Sequence, residues 1–166
     1  MARRAFPPAS VDQVVGLVRV LNSLGGRADA YKVDEEVEVD LGDLSLAIEA
    51  AKALGLIAVE GGDLELTDLG ERLADSDIGE VGAEVGRRLA EMEPFAELIS
   101  AVGGRGSMEL REVEDLLCRF GYCDEISARR VLNWGVLLGV IEVTGDDKVL
   151  LGKSAGGRNS VINTDG

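Results

Sequence analysis

The chain has 166 residues, with 31 acidic against 17 basic side chains, a net charge of −14 and no histidine. The missing histidine excludes an imidazole general base, Ser-His-Asp and Cys-His nucleophile pairs, and His-ligated zinc or haem. The acidic surplus opposes phosphate backbones and anionic membrane surfaces. Hydrophobic residues make up 46% of the chain and aromatic ones 4%, which predicts a core of Val, Leu, Ile and Ala. No apolar run approaches the roughly 18 residues that would cross a bilayer. The opening Met1 to Pro8 carries Arg3 and Arg4 without a following apolar block, so a cytoplasmic protein is expected.

Val11, Val14, Val15, Val18 and Leu21 recur at helical spacing after Ser10, and Gly25-Gly26 stops the run. A short second helix is expected from Tyr31 to Val37. Asp40 is placed to cap a third, with Leu41, Leu44, Ile48 and Ala51 on one face, ending at Leu54-Gly55. Leu56, Ile57 and Val59, the Gly61-Gly62-Asp63 turn, and Leu64 and Leu66 predict a two-stranded hairpin. Thr67 then caps a further helix. Helix, helix, helix, hairpin is the order of a winged helix-turn-helix.

A helix from Asp77 carries Ile78, Val81, Val85, Leu89 and Met92 on one stripe until Pro94 interrupts it. Phe95, Leu98, Ile99 and Val102 form the next, stopping at Gly103-Gly104. Leu110, Val113, Leu117 and Phe120 follow, stopped by Gly121, and Asp124 to Leu138 is helical with Ile126, Val131, Leu132 and Leu138 apolar. The sequence then repeats itself. Leu54-Gly55-Leu56-Ile57-Ala58-Val59 returns 84 positions later as Leu138-Gly139-Val140-Ile141-Glu142-Val143. The predicted fold is mostly α with short β-hairpins: tandem winged helix-turn-helix units over 8–76 and 94–151, joined by a helix over 77–93. A disordered Gly-, Ser- and Asn-rich tail is expected over 152–166.

No catalytic, cofactor or metal site emerges. Gly152-Lys153-Ser154 resembles the end of a phosphate-binding loop, but Asp147 occupies the place of its first glycine. Asp75 to Glu80 offers the first carboxylates of a calcium loop, but Glu80 and Gly86 stand where that loop needs Gly and Glu. Cys118 and Cys123 fit neither a disulfide framework nor a four-ligand metal site and are expected as reduced thiols. The candidate partner contacts are Trp134, otherwise a core residue, and Gly79, Gly82 and Gly86, whose spacing would make a stripe for close helix packing, within the chain or in a homodimer. Residues 11–92 hold 19 acidic and 7 basic side chains, and residues 93–151 hold 11 and 6. A nucleic-acid contact is therefore the alternative, confined to Arg129 and Arg130 of the second unit.

Five stretches, in this order and spacing, carry a family resemblance: Pro8-Ala9-Ser10 leading to Val15-Gly16-Leu17, Gly25-Gly26-Arg27-Ala28-Asp29, Glu49-Ala50-Ala51 with Leu54-Gly55, Gly62 to Gly70, and Trp134-Gly135. From Pro8 to about Leu151 the chain resembles the AAA-associated C-terminal domain that follows the ATPase core in ATP-binding subunits of nitrate/sulfonate/bicarbonate-type ABC transporters. It departs from that pattern in the aliphatic Val136-Leu137-Leu138-Gly139 and in holding no ATPase core. The resemblance implies a nonenzymatic accessory or regulatory module with a protein partner, such as an ABC transporter ATPase, which would bring it to the membrane periphery. A winged-helix DNA-binding transcription regulator using the second unit is the alternative.

Overall fold

A computed structural model describes residues 5–36 and 41–155, with the backbone alone at 41–43 and 154. Val37, the Asp40 cap and residues 156–166 of the expected tail lie outside them. The architecture is mostly helical with two small antiparallel sheets, as the sequence predicts. The chain divides into two compact units, one over Pro7–Val81 and the other from Gly82 onward together with the segment ending at Phe6.

In the first unit, α1 (Val11–Ser23) begins at a reciprocal cap. Ser10 Oγ accepts from the Gln13 N–H at 3.1 Å while the Ser10 N–H donates to Gln13 Oε1 at 2.9 Å. Val14, Leu17, Val18 and Leu21 are buried. Gly25 and Gly26 both adopt positive φ, and the Gly26 N–H closes onto Leu21 O at 2.9 Å. The chain then enters β1 (Arg27–Asp29), α2 (Ala30–Glu36), α3 (Leu41–Ala53), β2 (Ile57–Glu60), β3 (Asp63–Leu66) and α4 (Asp68–Asp75).

The sheet order is β1-β3-β2, with Arg27 opposite Glu65 and Ile57 opposite Leu66. Strand β1 is not among the sequence expectations. It is three residues long, and its partner β3 is distant in sequence. Arg27 links it to β3 by ion pairs to Asp63 at 3.2 Å and Glu65 at 2.9 Å.

The second unit opens with α5 (Gly82–Ala90), continues with α6 (Phe95–Arg105), β4 (Met108–Glu109), α7 (Leu110–Arg119), α8 (Glu125–Leu137), β5 (Ile141–Val143) and β6 (Lys148–Leu151), and ends in a 3-10 turn over Lys153–Ala155. Its sheet order, β4-β6-β5, repeats that of the first unit. From α6 onward the order helix, strand, helix, helix, hairpin also repeats.

Three expectations change in this unit. The helix expected over 77–93 is helical only from Gly82 to Ala90 and clusters with the second unit. Asp77 Oδ1 instead accepts from the N–H groups of Gly79 at 2.9 Å and Glu80 at 3.3 Å, a local turn that competes with helix. Helix α6 passes through Gly103-Gly104 and stops at Gly106, where φ is +87°. The start of the expected tail is structured, because Gly152 is buried and the 3-10 turn packs against α5. No described helix is long and apolar enough to cross a membrane.

The 84-residue repeat has a physical basis. Gly55 and Gly139 end α3 and α8 with φ of +77° and +74°, a conformation with no Cβ penalty only for glycine. The following N–H groups close the helix ends, Leu56 to Ala51 O at 2.9 Å and Val140 to Gly135 O at 2.8 Å. The far end of each hairpin returns to the same place: Thr67 N–H donates to Leu56 O at 3.1 Å, and Gly152 N–H to Val140 O at 2.9 Å. In the first unit, Thr67 Oγ1 also donates to Gly55 O at 2.6 Å and accepts from Gly70 N–H at 3.1 Å.

A Cβ on Gly70 would lie 2.1 Å from Leu56 O, whereas one on Gly82 would meet nothing within 4 Å. Gly70→Ala is therefore expected to destabilise the protein by about 2 kcal/mol or more through backbone displacement. Gly82→Ala should leave stability unchanged or slightly raised. Thermal unfolding of the two variants checks the pair.

Candidate partner-binding face

Helix α8 starts at Asp124, whose carboxylate accepts from Ser127 N–H at 2.9 Å. Hydrogen bonds from the Ser127 backbone and side chain, with a smaller contribution from the Arg130 charge, hold the Asp124 carboxyl below its usual range. The inner face of α8 buries Val131, Trp134 and Gly135. A Cβ on Gly135 would sit 3.1 Å from both Ile141 Cγ1 and Phe95 Cε1, so glycine lets the helix approach strand and ring closely.

Trp134 is wholly buried, its ring meeting Phe6 edge-on at a centroid distance of 5.7 Å. Phe6 in turn meets Phe95 edge-on at 6.0 Å. This burial removes Trp134 as an exposed anchor. The segment that supplies Phe6 is fixed by its backbone. Phe6 N–H donates to Glu93 O at 2.8 Å, Tyr122 Oη donates to Phe6 O at 2.6 Å, and Ala5 bridges Glu93. The sequence signals only that Phe6 is apolar, because its partners are distant in sequence.

The three candidate glycines do not form a stripe. Gly79 lies in the turn before α5, Gly82 faces open space at the helix start, and Gly86 is buried. A continuous helix is needed to align positions i, i+3 and i+7, and the Asp77 turn breaks it.

Arg129 and Arg130 do not form a joint basic patch. Arg129 pairs with Glu125 at 2.7 Å across one helical turn, both side chains exposed. Arg130 is half-buried and its charge acts on Asp124. In α3 the cation of the last turn, Lys52, lies 4.0 Å from Glu49. Exposed pairs of this kind contribute little stability, but they reduce the charge presented to a phosphate.

The exposed side of α8 is mixed, with Glu125, Arg129 and Asn133 beside three apolar side chains. Ile126 is 60% exposed, Leu137 47% and Val136 46%, with Asn133 between them. An open groove beside α8 is lined by Glu114 of α7, Tyr122, Leu132 and Asn133 together with the charged Glu125 and Arg129, and Ile126, Val136 and Leu137 lie outside that lining. Sequence inspection groups Ile126 with the apolar positions of the helix without distinguishing its face. At about 100° per residue Ile126 and Leu137 project together, but Trp134 lies only about 60–80° from them, so helical spacing alone does not mark them as exposed.

The turn between α7 and α8 corrects the expectation of reduced thiols: Cys118 and Cys123 are joined in a disulfide. The reversal at Gly121, where φ is +102°, brings the two residues together.

A family model described as the C-terminal AAA-associated domain matches residues 31–144. No curated protein and no solved structure matches the chain.

Burial pushes the Tyr122 hydroxyl up from 10.0 to about 12. Because the folded state holds this proton more tightly than the unfolded state, the stabilisation is complete below pH 10 and is lost as pH rises towards about 12. Tyr122→Phe should lower stability by about 1–2 kcal/mol at neutral pH, leaving Phe6 O without that donor, and should flatten this alkaline decline. Denaturant titration across that range checks both effects.

Proposed function

The chain belongs to the C-terminal AAA-associated domain family, and from that premise we propose that it is a nonenzymatic regulatory module. In this reading, two winged-helix units bind an AAA or ABC-transporter ATPase and adjust its activity. The observation that carries the proposal is the outer face of α8. In a helix-turn-helix the third helix is the one that enters a DNA groove; here it presents Ile126, Val136 and Leu137, and Arg129 is paired with Glu125. Exposed apolar side chains interspersed with the Glu125–Arg129 pair suit an amphipathic protein segment.

The net charge of −14 works in the same direction. DNA affinity relies on Lys and Arg side chains that neutralise phosphates and so release the cations condensed on the duplex, and both units are acidic on balance. Such a module would be cytoplasmic and would reach the membrane face only through a transporter partner.

The test uses purified protein and the ATP-binding subunit encoded nearest to it, with binding followed by calorimetry and ATP hydrolysis followed in parallel. Ile126→Asp and Leu137→Asp should each weaken binding by about tenfold or more, while Arg129→Ala should leave it nearly unchanged. Retention on duplex DNA that falls steeply with salt and is lost in Arg129→Ala would overturn the proposal.

A further inference from the structure

We propose that the Cys118–Cys123 pair is a thiol–disulfide exchange site whose redox state sets how firmly Phe6 is held in the core of the second unit. The disulfide joins the last turn of α7 to the residue before the Asp124 cap of α8. Both cysteines are exposed, and Cys123 lines the open groove with Glu114, Tyr122 and Arg129, so a small dithiol has access to its sulfur. Accessible disulfides are the exchangeable ones.

The bond closes a turn that contains Tyr122. Apart from the disulfide, this turn is held by backbone hydrogen bonds: Phe120 N–H to Leu117 O at 3.0 Å, Gly121 N–H to Cys118 O at 2.9 Å and Tyr122 N–H to Leu117 O at 3.0 Å. Tyr122, the covalent neighbour of Cys123, is buried and donates from its hydroxyl to Phe6 O at 2.6 Å. Phe6 in turn places its ring against Trp134 and Phe95. Two residues and one hydrogen bond thus connect an exposed disulfide to the aromatic core.

The exchange is balanced by an external dithiol. One of its thiolates attacks Cys123 Sγ, the Sγ–Sγ bond breaks, and Cys118 leaves as a thiolate that takes up a proton. The second thiol of the reductant then displaces Cys123 and closes its own disulfide. The chain gains two electrons and two protons, and the dithiol loses them. With the bond formed, opening of the turn is limited covalently; with it reduced, the turn opens locally and carries Tyr122 away from Phe6. This inference is independent of any ATPase partner.

The full chain is treated with diamide or with dithiothreitol, and the thiols are counted by alkylation under denaturing conditions. Amide hydrogen exchange and Trp134 emission are then measured on the folded protein. Diamide should leave no alkylatable thiol and dithiothreitol should expose two. Reduction should speed exchange at Phe6 and across residues 120–123 on the order of tenfold and shift Trp134 emission to the red. Cys118→Ser/Cys123→Ser should match the reduced protein under both treatments. Tyr122→Phe should abolish the redox response at Phe6 while its thiols still respond. Two thiols persisting after diamide, equal exchange in both redox states, or a redox response at Phe6 that survives in Tyr122→Phe would overturn the proposal.

Discussion

Each unit depends on one left-handed glycine at the end of the helix that leads into its hairpin. At Gly55 and Gly139 the chain reverses, the next N–H closes the helix end, and the carbonyl of that same next residue receives the N–H from the far end of the hairpin. A single residue, Leu56 or Val140, therefore serves both the helix end and the hairpin exit. This fixes the central strand of each sheet, β3 or β6, which then pairs with the short strands β1 or β4. Gly70 and Gly152 allow the closing contact by having no Cβ, which would otherwise lie 2.1 Å and 2.2 Å from Leu56 O and Gly139 O. Any larger side chain at either position must displace backbone, and backbone does not yield as a flexible side chain does.

The same constraint decides which face of α8 is exposed. Pinning its C-terminus to the hairpin turns Val131, Trp134 and Gly135 inward, towards Ile141 and Phe95. Ile126, Val136 and Leu137 are left outside, where burial would require another molecule. Burying such side chains contributes roughly 1.5–3 kcal/mol each, enough for a few of them to support a specific contact. The paired state of Arg129 and the acidic balance of both units weaken the attraction of this side of α8 for phosphate.

Scarcity of aromatic residues concentrates them. Of the six in the chain, Phe6, Phe95, Trp134 and Tyr122 belong to one connected group in the second unit. Phe6 comes from a segment that precedes the whole first unit in sequence, so this core is completed by chain that is remote from it. The Cys118–Cys123 bond lies next to Tyr122, at the edge of that group.

By itself the sequence determined most of the helices, both hairpins, the repeat and the caps at Ser10 and Thr67, because each rests on local periodicity or on side chains bonding within three residues. It also determined what chemistry is unavailable, since no fold can supply an imidazole that the chain lacks. Only the tertiary structure decided the rest. Strands β1 and β4 exist through pairing with distant partners, the Asp77 turn breaks the glycine stripe, and Trp134 is enclosed by Phe6 from the other end of the chain. The disulfide forms because Gly121 reverses the chain between two cysteines that composition leaves as thiols. Long-range contacts depend on how the units close in space, and residue spacing along the chain does not encode that closure.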